Sequence, residues 1–191
     1  MENKIDFTKD KIILGLDPGT NIMGFGLIKV KGPNDLILLQ YGIIKLKYYK
    51  DHNLKLHKIF EKVTQLINEF YPDEIAIESP FQGKNVQSML KLGRVQGIVI
   101  AAAIQKGIPV MEYTPKKVKL CVAGSGNASK EQVASMLMEI LRFSHEEAFL
   151  DATDALGVAL CHHYQTLNPI KKSNSVNNWN EFIKKNAHRI T

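Results

Sequence analysis

The segment Lys11–Asp17, with the sequence KIILGLD, is apolar at consecutive positions rather than at alternate ones. A strand of this kind has both faces covered, so it belongs in the middle of a sheet with other structure packed on each side. Pro18 and Gly19 follow at once and end the strand in a turn. The sequence therefore predicts a sheet covered on both faces, with Asp17 at the carboxyl end of a central strand.

The segments that follow predict the rest of this sheet. Residues 22–30 and 36–46 form two further strands with short connections, which favours an antiparallel meander. Helical spacing of apolar residues then alternates with short strands. The predicted helices are 52–70, 85–105, 128–141 and 151–164, and the predicted strands are 74–78 and 109–113. The fold class is α/β, a mixed five-stranded sheet flanked by helices.

Length and composition exclude several classes of protein. The chain has 191 residues, of which 45% are hydrophobic, so it suits one globular domain rather than a disordered chain. The longest apolar run, Ile98–Ile104, is far shorter than the ~20 residues of a membrane span. The first ten residues are charged and lack a signal peptide, and Cys121 and Cys161 suit reduced thiols. A soluble cytoplasmic protein is therefore expected.

Charge and composition vary along the chain. Ser79 to Lys130 holds eight basic residues and one acidic residue, although the formal net charge of the whole chain is only +6. This middle segment is either an ordinary solvated surface or a surface that binds a polyanion. The predicted domain is 11–165, between an N-terminal extension, 1–10, and a basic tail, 166–191, whose composition is typical of a flexible linker.

Four carboxylates follow buried elements. Asp17 and Glu78 end two strands in the same sense, so they lie side by side if those strands are neighbours. Asp151 and Asp154, three residues apart, share one face at the start of an apolar helix that must pack on the sheet. Each acid alone also suits a turn or a helix cap. Together they predict a cluster at the edge of the sheet.

Converging carboxylates repel one another unless a cation lies between them. Oxygen ligands suit Mg²⁺ or Mn²⁺, and two such ions activate water in phosphodiester cleavage. The basic middle segment supplies the attraction for nucleic acid that the acids lack. The acids and the basic segment together favour a nuclease.

Five motifs in the order of the chain resemble the RuvC family of Holliday junction resolvases. They are ILGLDPGT (13–20), AIESPFQGKN (76–85), LKLGRVQG (90–97), GSGNASK (124–130) and DATDAL (151–156). The resemblance implies a ribonuclease-H-like fold and a homodimer. It also implies metal-dependent, symmetric nicking of two strands at a four-way DNA junction during recombination and repair.

The resemblance also implies roles for particular residues. The catalytic and metal-binding acids fall on Asp17, Glu78, Asp151 and Asp154, with two Mg²⁺ per active site and Mn²⁺ as a substitute. Phe81 is expected to stack on a base at the junction centre. Lys84, Lys119 and Lys130 are expected to contact DNA. A branch-migration complex of the RuvA and RuvB type is a candidate partner.

Two other functions stay open on the sequence. Asp17 to Thr20 has the Asp-x-Gly-Thr form of a phosphate loop in actin-like and sugar-kinase-like ATPases, although no second such loop follows. A non-catalytic DNA-binding module would explain the basic segment but not the four acids. Gly93 and Gly97 suit either packing on the sheet or a dimer contact. His162 and His163 are expected to end a helix and complement its dipole.

Overall fold

Five strands and five helices lie within the residues that the computed structural model describes, 9–79, 85–144 and 150–167. The strands are β1 (Lys11–Asp17), β2 (Ile22–Val30), β3 (Leu36–Lys45), β4 (Glu74–Glu78) and β5 (Val110–Tyr113). The helices are α1 (His52–Phe70), α2 (Val86–Gln105), α3 (Pro115–Ala123), α4 (Lys130–Leu141) and α5 (Leu150–Leu167). Within these ranges, no helix combines the length and the apolarity that crossing a membrane would require.

The strands form one mixed sheet in the order β3-β2-β1-β4-β5. β1 pairs antiparallel with β2 and parallel with β4. β5 pairs parallel with β4 and is the outermost strand on that side of the sheet. The predicted meander, the central place of β1 and the mixed five-stranded sheet are confirmed. The limits predicted for 11–165 stay a prediction, since α5 continues to Leu167 while residues 168–191 lie outside the described ranges.

Alternate residues of the central strands divide the core between two faces. Leu14 and Leu16 of β1 pack with α1 and α2, whereas Ile13 packs in a second cluster with α5. In β4, Ile75 and Ile77 join the first cluster and Ala76 joins the second. Because every second residue of a strand faces the same way, Asp17 and Glu78 lie on the face that α5 covers.

Two glycines let α5 lie directly against the strands. A Cβ on Gly15 would lie 2.2 Å from the carbonyl oxygen of Ala155, and a Cβ on Gly24 would lie 2.1 Å from that of Asp151. Any side chain at these positions would push the helix away from the sheet. The contact at Gly24 lies at the carboxyl end of β1, since Gly24 pairs with Asp17. The glycines therefore bring the acidic start of α5 next to Asp17.

Helix α3 was missed by the sequence analysis, although its ends carry standard signals. The Thr114 side chain caps its first turn, Pro115 is its first residue, and Gly124 ends it in the left-handed conformation at φ 71°. Its nine residues are too short to show a clear apolar period. The ends of the elements that were predicted differ from those observed by at most three residues.

The expectation for His162 and His163 was wrong. Both lie within α5, both are buried, and both have polar partners other than the helix end. His163 donates to the carbonyl oxygen of Pro33 at 2.9 Å, and His162 bridges Glu74 and Tyr113. The residues were placed at the helix end because the sequence analysis ended the helix at 164. The two histidines instead connect α5 to the sheet and to the turn after β2.

Candidate active site

The parallel pairing of β1 and β4 brings the first two acids together. Leu16 pairs with Ile77, and the next residue on each strand is an acid, Asp17 on β1 and Glu78 on β4. Both carboxylates therefore leave the same edge of the sheet, on the face under α5.

A recess of about 250 Å³ lies at this edge of the sheet. It brings together five of the residues singled out in the sequence and three apolar neighbours. Its lining residues are Asp17, Glu78, Pro115, Val118, Lys119, Lys130, Val133 and Asp154. Asp151 stands at the rim, where 44% of its side chain is exposed. Phe81 and Lys84 lie outside the described residues, so their predicted roles have no structural counterpart.

Lys130 connects α4 to the acidic start of α5. Ser129 caps α4, and its capping box with Gln132 fixes the first turn, in which Lys130 lies. The Lys130 ammonium nitrogen is 2.5 Å from Oδ2 of Asp154 and 3.7 Å from Oδ1 of Asp151. The recess thus has one ammonium group in direct contact with its carboxylates, and Lys119 of α3 supplies a second nearby.

The pKa values of Asp17 and Glu78 are raised strongly. Burial, followed by the charges of Asp154 and Asp151, raises the pKa of Asp17 to about 7. Burial, followed by the charges of Asp17 and Asp154, raises the pKa of Glu78 to about 8. The charge of Lys130 opposes both shifts without cancelling them. Two carboxylates held in this state favour a further positive charge beside them.

The donor set was tested for its fit to a divalent cation. Within the described ranges, no three His, Cys, Asp or Glu side chains stand close enough together to hold a metal ion. The chemistry of the recess nevertheless suits one: its acids offer oxygen ligands, and no described residue donates a hydrogen bond to Asp17 or Glu78. Asp154 has its closest contact with Lys130. Metal binding here requires Asp154 to turn from Lys130 or to be shared with it.

One contact at this edge was missed by the sequence analysis. The Lys55 ammonium group of α1 donates to the carbonyl oxygen of Thr20 at 2.8 Å and to Oδ1 of Asn21 at 3.1 Å. These bonds tie α1 to the turn that follows Asp17. No local spacing could have indicated them, because the partners lie 34 and 35 residues apart.

The sheet order and the covering helices are those of a ribonuclease-H-like fold. The acids at the ends of two central strands and at the start of the covering helix are the part of this fold that suits nuclease chemistry. The family model for the crossover junction endodeoxyribonuclease RuvC matches residues 13–162. The chain belongs to this family of crossover junction endodeoxyribonucleases. The predicted family and nuclease activity are confirmed, and the ATPase and the non-catalytic module are not favoured.

Named relatives and a solved structure agree with this membership. A RuvC of Cytophaga hutchinsonii is 60% identical over 183 residues, covering 96% of this chain and 90% of the relative. A RuvC of Porphyromonas gingivalis is 48% identical over 186 residues, covering 95% and 98%. The structure of Thermus thermophilus RuvC in complex with a Holliday junction substrate is similar with a TM-score of 0.76 and 31% identity, covering 82% and 94%.

Proposed function

We propose that the protein resolves four-way DNA junctions by cutting two strands symmetrically, with a divalent cation and one active site in each subunit of a homodimer. The observation that carries the proposal is the recess in which Asp17, Glu78 and Asp154 meet Lys119 and Lys130. Its combination of acids and ammonium groups suits both a cation and a phosphate. The Thermus thermophilus relative was solved with a Holliday junction substrate, which supports the same substrate here.

Asp17, Glu78 and Asp154 would hold the cation, with Asp151 entering from the rim. Mg²⁺ is proposed, as two ions per site, and Mn²⁺ as its substitute, because all the ligands are carboxylate oxygens. When bound, such a cation supplies a counter-charge and acidifies water for attack on the phosphodiester. The raised pKa values of Asp17 and Glu78 mean that binding is coupled to the loss of protons from these side chains.

The two lysines of the recess would offset the negative charge of the substrate. A carboxylate cluster alone repels a phosphodiester, whereas the ammonium groups of Lys119 and Lys130 attract it and offset the charge that grows on its oxygens. The apolar side chains of Val118 and Val133 also line the recess and limit the water that competes with these contacts. Phe81 and Lys84 are proposed to contact the junction centre. Phe81→Ala should therefore slow cutting without changing metal binding.

The exposed face of α2 supports the homodimer. Val86, Leu90 and Ile104 are 65%, 55% and 68% exposed and lie at helical spacing on one side of the helix. Gly93 and Gly97 share this side, and a Cβ on either would meet nothing within 4 Å. The two glycines thus do not pack on the sheet, and a second copy of α2 could approach closely at both. Two sites related by a two-fold axis would match the symmetry of a four-way junction.

The remaining parts of the proposal rest on the family. A branch-migration complex of the RuvA and RuvB type is the proposed partner, and the cytoplasm is the proposed location. The nuclease domain is proposed to span 11–165, between the extension 1–10 and the basic tail 166–191.

Cleavage of a labelled four-way junction tests the proposal directly. With Mg²⁺, paired nicks should form in the junction and not in linear duplex, and EDTA should abolish them. Leu90→Asp should make the protein a monomer, as measured by light scattering. The monomer should make single nicks instead of paired ones. Tight junction binding without nicks in Mg²⁺ or Mn²⁺ would refute the proposal.

A further inference from the structure

A second positive surface lies beside the active-site edge, on β3 and α1. We define it as the β3–α1 surface by its six lysines: Lys45, Lys47, Lys50, Lys55, Lys58 and Lys62. The same stretch of chain holds two acids, Asp51 and Glu61. The first 78 residues contain 11 lysines and 11 acids, so they carry no net charge. Several of these acids, such as Asp35 and Asp73, lie at the opposite ends of the strands.

Most of these lysines have no carboxylate partner among the residues that the structure describes. Glu61 binds Lys58 at 2.7 Å, and Asp51 accepts from the backbone of Asn53 as the cap of α1. Lys45, Lys47 and Lys50 are exposed and have no ion pair within the described ranges. The Lys47 ammonium nitrogen lies 5.2 Å from the centre of the exposed Tyr48 ring, and no described carboxylate neutralises any of the three charges. An anion from outside the chain would satisfy them.

The surface borders the turn that follows Asp17. Lys45 pairs with Ile22 at the start of β2, and the next residue, Leu46, donates its backbone N–H to the carbonyl oxygen of Asn21 at 2.8 Å. β3 is two strands away from β1, a lateral distance of about 10 Å. One turn of duplex DNA is about 34 Å long. A duplex arm that runs from the recess toward β3 would therefore extend past the β3–α1 surface.

The positive field continues onto α2. Burial and the charges of Arg94, Lys91 and Lys55 lower the pKa of His52, which places those two α2 residues beside the first turn of α1. Nε2 of His52 is buried without a hydrogen-bond partner in the described part of the chain. Positive charge thus runs from the end of β3, across the start of α1, to the N-terminal half of α2. A concave cleft of about 500 Å³ lies between β3 and α1 on this positive surface. Its lining includes Lys45, Lys58 and Lys62.

We propose that the β3–α1 surface binds the phosphate backbone of a duplex arm that flanks the crossover, an inference that rests on the proposed function. Lysines on flexible stems, without a planar guanidinium or an exposed reading helix, suit contacts that follow phosphates rather than bases. The surface holds an arm in place while the recess acts near the crossover. Binding at this surface is therefore strongly dependent on salt and indifferent to sequence.

The test compares two double variants, each of which removes two exposed ammonium groups per subunit. Lys47→Gln/Lys50→Gln changes the β3–α1 surface. Lys31→Gln/Lys106→Gln is the matched control, since Lys31 follows β2 and Lys106 follows α2 at the opposite edge of the sheet. Affinity for a fluorescent four-way junction is measured in EDTA over a range of KCl concentrations. The junction has arms of about two helical turns, which are long enough to pass the surface.

The surface variant should bind the junction about ten-fold more weakly than the control. Its slope of log affinity against log salt should be smaller by about 2 per subunit bound. Equal affinities and slopes for the two variants would overturn the inference. Cleavage by the wild type is measured in parallel with Mg²⁺. If the wild type makes no paired nicks, the proposed function fails; if it does and the two variants bind alike, only this inference fails.

Discussion

Strand β4 carries a glutamate at each end, and the two side chains face the same helix in opposite electrostatic states. Burial tends to raise the pKa of Glu74, but hydrogen bonds from His162 and Lys11 outweigh it and lower the value to about 2. Glu78, four residues later, has its pKa raised to about 8 by burial and by Asp17 and Asp154. The sheet, the covering helix and the residue type are the same, so the difference comes from the neighbours.

The end at Glu74 is fully satisfied. His162 Nε2 donates to the carboxylate, Lys11 approaches it at 2.5 Å, and the Tyr113 hydroxyl bonds to Nδ1 of His162 at 2.7 Å. The network joins β1, β4, β5 and α5. At the other end, no described residue donates to Glu78, and the acids face one another across the recess. One edge of the sheet stabilises the fold, and the other is left in need of a ligand.

The largest expected effect comes from removing a charge at the unsatisfied end. Asp17→Asn should reduce junction cleavage by about 10³-fold or more, because a proposed cation ligand is lost. Junction affinity should stay equal or rise, because one repulsive charge is removed. Gel assays of cutting and binding measure both, with Asp35→Asn at the opposite edge as the control. Loss of binding in proportion to cutting would show that Asp17 is structural.

Removing the charge at the satisfied end should have the reverse profile. Glu74→Gln should lower the free energy of unfolding by about 2 kcal/mol, since the hydrogen bonds from His162 and Lys11 lose the negative charge that strengthens them. Cleavage per folded molecule should change little. Urea denaturation beside Glu139→Gln, an exposed acid on α4, measures the difference. A Glu74→Gln protein as stable as this control would contradict the account.

The two ends should also give opposite slopes of stability against pH in EDTA. Glu74 has a lowered pKa, so its stabilisation is complete above 4.5 and is lost as the pH falls toward about 2. Asp17 has a raised pKa, so the metal-free fold loses stability as the pH rises from 3.8 toward about 7. Asp17→Asn should therefore be more stable than wild type at pH 8 by about 1–3 kcal/mol. A wild type that is as stable as Asp17→Asn at pH 8 would argue against the raised value.

A smaller effect is expected from Lys130. Its charge lowers the pKa values of Asp17 and Glu78, so Lys130→Gln should raise both further. The midpoint pH of Mg²⁺ binding, followed by calorimetry, should move upward, since more protons must leave. Lys116→Gln on the exposed surface of α3 is the control. A downward shift would mean that Lys130 competes with the metal more than it assists deprotonation.

The sequence was sufficient for the site where strand ends determine the geometry. Asp17 and Glu78 follow buried strands in the same sense, and their meeting depended only on β1 and β4 being parallel neighbours. The start of α5 was also predictable, since its apolar residues require it to pack on the sheet. The predicted catalytic roles of these residues remain a proposal.

Contacts between distant segments could not be predicted in the same way. Glu74 and His162 are 88 residues apart, and a histidine after an apolar run gives no sign of a buried partner. The β3–α1 surface could not be predicted from charge summed along the chain, because the lysines and acids of the first 78 residues cancel. They separate to opposite ends of the strands only in the folded protein. Helix α3 was missed in the sequence analysis because nine residues show little periodicity, although Thr114 and Gly124 mark its ends.

A carboxyl NMR titration of the two glutamates of β4 tests the central claim most directly. Protein labelled with ¹³C at glutamate carboxyls is titrated in EDTA, and Glu74→Gln and Glu78→Gln assign the two signals. The account predicts that Glu78 titrates near pH 8 and Glu74 near pH 2, and that Mg²⁺ lowers the Glu78 midpoint while leaving Glu74 unchanged. Midpoints for both near the ordinary value of 4.5, unaffected by Mg²⁺, would contradict it.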